Sequence, residues 1–184
     1  NEPHELKIIQ TAININKIEK MCMLDDSLMN IYEQQQYTYT KIIISNQQSI
    51  TINLNSFTFP TKYFLWRVLV DGMDDHEYIK NIQIMIMNRE YGTTKTSYYY
   101  KKYMPYKHLH VYNKYNFYLC PFSLYPLSLQ PSGHIGMASV SDAKLILNLS
   151  NDNLMGMTFE VHFWAFNYNF LNIYKSIVAP IFTI

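Results

Sequence analysis

A chain of 184 residues is of one-domain size and long enough to bury a core without covalent staples. Hydrophobic residues make up 48% and charged residues 16%, which excludes a disordered chain and leaves surface for a protein partner. A formal charge of +1 excludes an overall field that would gather nucleic acid or an anionic membrane.

The first segment with strand character is LKIIQTAINI, where Ile9, Thr11, Ile13 and Ile15 fall in phase. LDDSLMNIYEQQQ, residues 24–36, is the one predicted helix: Asp26 or Ser27 caps it, and Leu28, Ile31 and Tyr32 share a face. TYTKIII then returns to strand. In SITINL, Ile50, Ile52 and Leu54 alternate with Thr51 and Asn53. The parity slips between Leu54 and Phe57, which predicts a bulge or bend. YFLWRVLV is apolar almost throughout and predicts a central strand buried on both faces, in which Arg67 needs a partner. NIQIMIM, NFYLCPFSL, KLILNLS and TFEVHFWA complete a set of about eight strands by period-two counting. Pro60, Gly72, Gly92, Pro105, Pro121, Pro126, Pro131 and Gly133 punctuate them. No repeat or linker divides the chain. Short strands with loops of uneven length predict an all-β sandwich of jelly-roll type, as one domain over 1–184.

Little in the sequence is poised for chemistry. Cys22 and Cys120 form neither a disulfide framework nor a zinc pattern and are expected as buried free thiols. No apolar run reaches the roughly 18 residues of a bilayer span, and NEPHELK is not a secretory leader, so a soluble chain is expected. His108 and His110 in KHLHVY would share one side of a strand, as in metal-binding cupins. The carboxylate that a cupin needs further on is replaced by Asn113, Lys114 and Tyr115. Asp74, Asp75, His76 and Glu77 lack EF-hand spacing and read as a solvated turn. There is no GxSxG elbow, and Cys120 sits in an apolar run. No catalytic residue, metal or cofactor is expected, and Asn148 in NLS is a glycosylation sequon only by pattern.

The stretch KTSYYYKKYMPYKHLHVYNKY mixes lysines and tyrosines without an acid, and Lys95, Tyr98, Tyr99, Tyr100, Lys101, Lys102, Tyr103 and Lys107 form a candidate partner-binding loop. Two readings stand. The loop grips phosphates while stacking bases, or it is a long exposed loop whose tyrosines pack on its own sandwich or on a neighbour. The 17 tyrosines accompany a general excess of residues with AT-rich codons, which discounts the first reading. Nucleic acid is not expected as a partner.

The run YNFYLCPFSLYPLSLQPSGHIGMASVSDAKLIL resembles the most recognisable segment of the major capsid proteins of nucleocytoplasmic large DNA viruses. Phe122, Ser123 and Leu124 stand where that family ends a strand, and Gln130, Pro131, Ser132 and Gly133 where it turns, with His134 and Ile135 following as in the asfarvirus-like branch. Pro60, Lys62 and Trp66 match the family's P-x-K-x-x-x-W strand, and Asn167, Tyr168 and Asn169 its NYN segment, with 168–184 read as a C-terminal tail. The QPSG segment makes sense as a sharp turn whose polar side chain satisfies backbone groups.

The resemblance implies a structural, non-enzymatic jelly roll, the C-terminal half of a longer two-jelly-roll chain that begins before Asn1. It implies homotrimeric, pseudo-hexagonal capsomers in an icosahedral shell, assembled in host cytoplasm. The expected partners are sister subunits, neighbouring capsomers, minor capsid proteins and an N-terminal jelly roll, with an inner membrane only indirect. The alternatives are a scaffold on immature virions, as in poxvirus relatives, and an accessory nucleic-acid or glycan-binding module.

Overall fold

A computed structural model describes residues 28–74, 78–111, 116–150, 154–174 and 177–182. In chain order they form β1 (Leu28–Ile43), β2 (Ser49–Asn53), β3 (Pro60–Val70), β4 (Met73–Asp74), β5 (Ile79–Ile86), β6 (Arg89–Glu90) and β7 (Lys95–Thr96). A π-helical turn at Tyr99–Tyr103 runs into α1 (Met104–Leu109). Then come β8 (Phe117–Pro121), β9 (Ile135–Gly136), β10 (Ala143–Leu149), β11 (Thr158–Tyr174) and β12 (Ile177–Pro180).

The strands form two antiparallel sheets. The first runs β1–β11–β3, with β8, β4 and β9 paired along β3; the second runs β2–β10–β5, with β6 and β7 on β5. Early strands pair with late ones in a nested order: β1 with β11, β2 with β10, β3 with β8, β5 with β7. The chain is thus a folded ribbon that passes back and forth between the two sheets, which is a jelly roll.

Alternation drives this where it is cleanest. β10 buries Ala143, Leu145, Leu147 and Leu149 and turns the residues between them outward. β2 does the same with Ile50 and Ile52. Facing them across the sandwich, Trp66 stacks between Tyr118 (5.4 Å) and Phe163 (5.6 Å), and Phe57 and Phe64 close the layer around Phe163. Asp71-Gly72 joins β3 to β4 and Met87-Asn88 joins β5 to β6, both with positive φ throughout, as two-residue hairpins with right-handed twist require.

Several expectations need correction. The helix expected from residue 24 is strand β1 from Leu28 onward, because sixteen residues pair continuously with β11 and that ladder outweighs a weak helical spacing. The short helix lies instead at Met104–Leu109, inside the stretch expected to be a loop, with Pro105 near its start, where no N–H is needed. His108 and His110 therefore lie on a helix and its left-handed cap, not on a strand. Arg67 is exposed, on the outer face of the central strand, where Nε meets Asp74 at 2.7 Å. The break after Leu54 is a turn, Phe57 N–H donating to the Leu54 carbonyl, that leaves both side chains buried. The segment set apart as a tail from Tyr168 continues β11 to Tyr174, after which β12 pairs back on it. The expected strand at 6–15, Cys22 and the cluster Asp75, His76 and Glu77 lie outside the described residues.

Candidate functional site

A change of register organises one end of the first sheet. Phe166 pairs with Tyr63 but Asn167 pairs with Thr61, so Lys62 is the extra residue of a bulge in β3. The bulge interrupts the alternation on both strands. Thr61, Lys62, Tyr63 and Phe64 are all buried in succession, as are Asn167, Tyr168 and Asn169 opposite.

Polar side chains brought inside this way need partners, and they have them. The Lys62 ammonium lies 2.5 Å from Glu33 Oε2 and 5.1 Å from the centre of the Tyr168 ring. The Lys62 carbonyl accepts from the N–H groups of Phe122 (2.8 Å) and Ser123 (3.1 Å). The Thr61 hydroxyl is 2.8 Å from Asn167 Oδ1, and Asn167 Nδ2 donates to Gln36 Oε1 at 3.2 Å. Asn169 uses its whole amide: Oδ1 accepts from Phe170 N–H and Phe182 N–H, and Nδ2 donates to Gln34 Oε1 and the Phe182 carbonyl. Burial, with Glu33 nearby, raises the Tyr63 phenol well above its ordinary value.

The turn containing Gln130, Pro131, Ser132 and Gly133 docks on the same end. Ser132 N–H donates to the Tyr168 hydroxyl at 3.4 Å, its carbonyl accepts from Leu124 N–H, and its Oγ accepts from Tyr125 N–H at 2.9 Å. Gly133 has φ +135, and a Cβ there would stand 2.8 Å from the Phe122 carbonyl oxygen. Lys62, Ser132 and Tyr168, spread over a hundred residues, thus meet in one cluster, while Trp66 belongs to the core column. Gln130 and Pro131 stay on the surface, and Pro60 opens β3 by pairing with Gly136. Glu33, Gln34, Gln36 and Thr61 complete the cluster, and sequence reasoning missed them; the first three lay on an apparent helix, and nothing marked Thr61 as their partner.

The arrangement is a structural clasp. Among the described residues no group of three metal-ligating side chains comes together, and no helix is long and apolar enough to cross a membrane. Cys120 is buried and free, its thiol pushed up to about 12 by burial, which suits packing and not nucleophilic attack.

The lysine and tyrosine segment is mostly occupied with itself. Tyr100 is buried against Trp66, and Tyr99 stacks on Tyr103 at 5.3 Å. Lys95 sits over Tyr99, Lys101 over Tyr118 and Lys107 over Tyr103, at 5.5–5.9 Å. Tyr98 and Lys102 project outward. Two apolar surfaces are exposed elsewhere. One is the turn carrying Leu124, Tyr125, Leu127 and Leu129. The other is the outer face of β1 and β11, where Tyr37 and Tyr39 pair with Trp164 and His162, and Tyr37 Oη lies 2.8 Å from His162 Nδ1.

Solved structures similar in fold to this chain include viral capsid proteins. The quasi-atomic model of the PBCV-1 virus capsid matches with TM-score 0.73 and 18% identity over 92% of this chain. PBCV-1 VP54, fitted into a reconstruction of the virophage Sputnik, matches with TM-score 0.74 and 20% identity, again over 92%. The Faustovirus major capsid protein matches with TM-score 0.65 and 11% identity over 79%. The chain spans 55%, 55% and 34% of the lengths of these three structures. No family model and no curated protein matches the sequence.

Proposed function

We propose that this domain is a structural unit of an icosahedral virus shell: the C-terminal jelly roll of a double-jelly-roll major capsid protein of the large-DNA-virus kind. Within that kind, His134 and Ile135 after QPSG favour the asfarvirus-like branch. Three such chains form a pseudo-hexagonal capsomer, assembled in the host cytoplasm and resident in the virion. Its contacts are sister subunits, neighbouring capsomers and minor capsid proteins, with an inner membrane reached only indirectly. The observation that carries this reading is a fold shared over 92% of the chain with capsid proteins of which it spans about half, as one of two tandem units would. The exposed Leu124, Tyr125, Leu127 and Leu129, with Tyr37 and Tyr39 on the outer sheet face, are the kind of apolar area that sister subunits cover.

Intact mass and light scattering on the native particle-associated protein test this. A chain of roughly twice this length forming trimers is expected. In that protein, Leu127→Asp or Tyr37→Ser blocks trimer formation and leaves the fold intact. A free 21.9 kDa monomer in the particle, or full trimer yield from both variants, overturns the reading.

A further inference from the structure

Strand register arranges the outer face of the first sheet in rows. Tyr37, Trp164 and Leu65 lie side by side across β1, β11 and β3; the next row is Tyr39, His162 and Arg67, and the one beyond it Lys41, Glu160 and Leu69. Buried Val161, Phe163 and Ala165 alternate with the β11 members of these rows, which therefore turn away from the core. An aromatic centre thus gives way to a charged margin, and half-buried His162 stands at the boundary. Tyr37 Oη is 2.8 Å from its Nδ1, and the Tyr39 and Trp164 rings lie at 5.0 and 6.1 Å. Among the described residues, the charged groups that face it are Lys41 from β1, Glu160 on its own strand, and Arg67 from β3 with Asp74 of β4 beyond it. Both carboxylates already hold a cation, Glu160 with Lys41 at 2.8 Å and Asp74 with Arg67 at 2.7 Å.

We propose, resting on the capsid reading above, that a sister subunit covers this face and that the proton on His162 controls the contact, so that subunits hold together at neutral pH and part in acid. An aromatic centre with an ion-paired margin has the anatomy of a protein interface. Charges that cancel in pairs let the face meet a second copy of a domain of formal charge +1 without repulsion. Under that partner, loss of water favours the neutral imidazole. Protonation places a positive charge in the covered face beside Arg67, where both nearby carboxylates are already engaged. Proton and sister subunit therefore compete for one surface.

Light scattering on the native particle-associated protein, diluted through its association range at several pH values, tests this. Wild-type trimers are expected to weaken roughly tenfold at each interface between about pH 7.5 and about pH 5.5, the cost of stripping one proton from an ordinary imidazole. His162→Gln, which takes up no proton in that range, removes most of the change and so separates it from pH effects elsewhere in the chain. His162→Lys, charged throughout, weakens trimers by a similar factor already at neutral pH. Circular dichroism checks that each variant is folded, as a half-buried side chain on the outer face allows. Wild-type trimers that ignore pH, unaltered pH dependence in His162→Gln, or wild-type trimer strength in His162→Lys at neutral pH overturns the switch and leaves the capsid reading standing. A folded wild-type protein that forms no trimers at neutral pH removes that reading and the switch together.

Discussion

Lys62 and Glu33 form an ion pair across the solvent boundary: the lysine side chain is 0% exposed and the glutamate side chain 31%, with 2.5 Å between them. The two ends of the pair are therefore unequal. Removing Glu33 strands a buried ammonium among Tyr63, Tyr168 and backbone, whereas removing Lys62 leaves a carboxylate that water reaches.

Glu33→Ala is accordingly expected to lower stability by about 3–5 kcal/mol, the usual cost of an uncompensated buried charge. Lys62→Met keeps the packing volume and is expected to cost less. Urea unfolding of both variants measures the difference, and a Lys62→Met loss equal to or larger than the Glu33→Ala loss shows that the charge is not what the clasp holds.

Gly133 is constrained twice, by φ +135 and by the Phe122 carbonyl 2.8 Å from any added Cβ. Gly133→Ala is expected to destabilise by about 1–3 kcal/mol from backbone strain alone, with the steric contact adding to it. Gly92, at φ +78 with nothing within 4 Å, is a comparison in which backbone strain acts without a steric contact. A thermal-midpoint shift for Gly133→Ala no larger than that for Gly92→Ala means that neither the more extreme φ nor the close approach to Phe122 adds a cost.

The sandwich was legible because β2, β5 and β10 alternate with period two, and an apolar β3 announces a central strand. β1 was not. Its alternate positions toward the interior hold Gln34, Gln36, Thr38 and Thr40, which hydrogen-bond or line an open edge between the sheets, so no hydrophobic period marks it. The helix at Met104 was hidden by tyrosines and lysines that favour no helical face. The clasp was half legible. Lys62, Ser132, Tyr168 and Asn169 stand out by resemblance, but their meeting depends on a bulge whose only local sign is a lysine inside an apolar strand.

His108, on α1, is half-buried, and the Leu124 backbone in the exposed apolar turn acts on it. Burial holds its imidazole below the ordinary value of 6.5; Lys107 and His110 act in the same direction and the Leu124 backbone in the opposite one. The folded state thus binds the proton less readily than the unfolded chain. Its contribution to stability is complete above pH 6.5 and is lost as the pH falls through the folded-state value. Asp74 and Glu160, lowered by Arg67 and Lys41, lose theirs only below their ordinary values of 3.8 and 4.5. The thermal midpoint is expected to fall in two stages on acidification, and His108→Gln removes the upper one. An unchanged upper stage in that variant assigns it to another group.

Asn169 fixes the last described segment to β11. Both its amide atoms reach the backbone of Phe182, at 2.8 and 3.1 Å, and the Phe182 ring lies against Phe59 and Phe170. Four register pairs between β11 and β12 hold the chain just before it. Asn169→Ala leaves that ladder and the core untouched but frees the Phe182 backbone and Gln34. The expected outcome is a loss of about 1–3 kcal/mol, with faster hydrogen exchange at the Phe182 amide and unchanged protection at Val161 and Phe163. Because this anchor sits beside Lys62 and Tyr168, a variant that loosens 177–182 and also deprotects the core strands would show that the clasp and the terminal segment unfold as one unit.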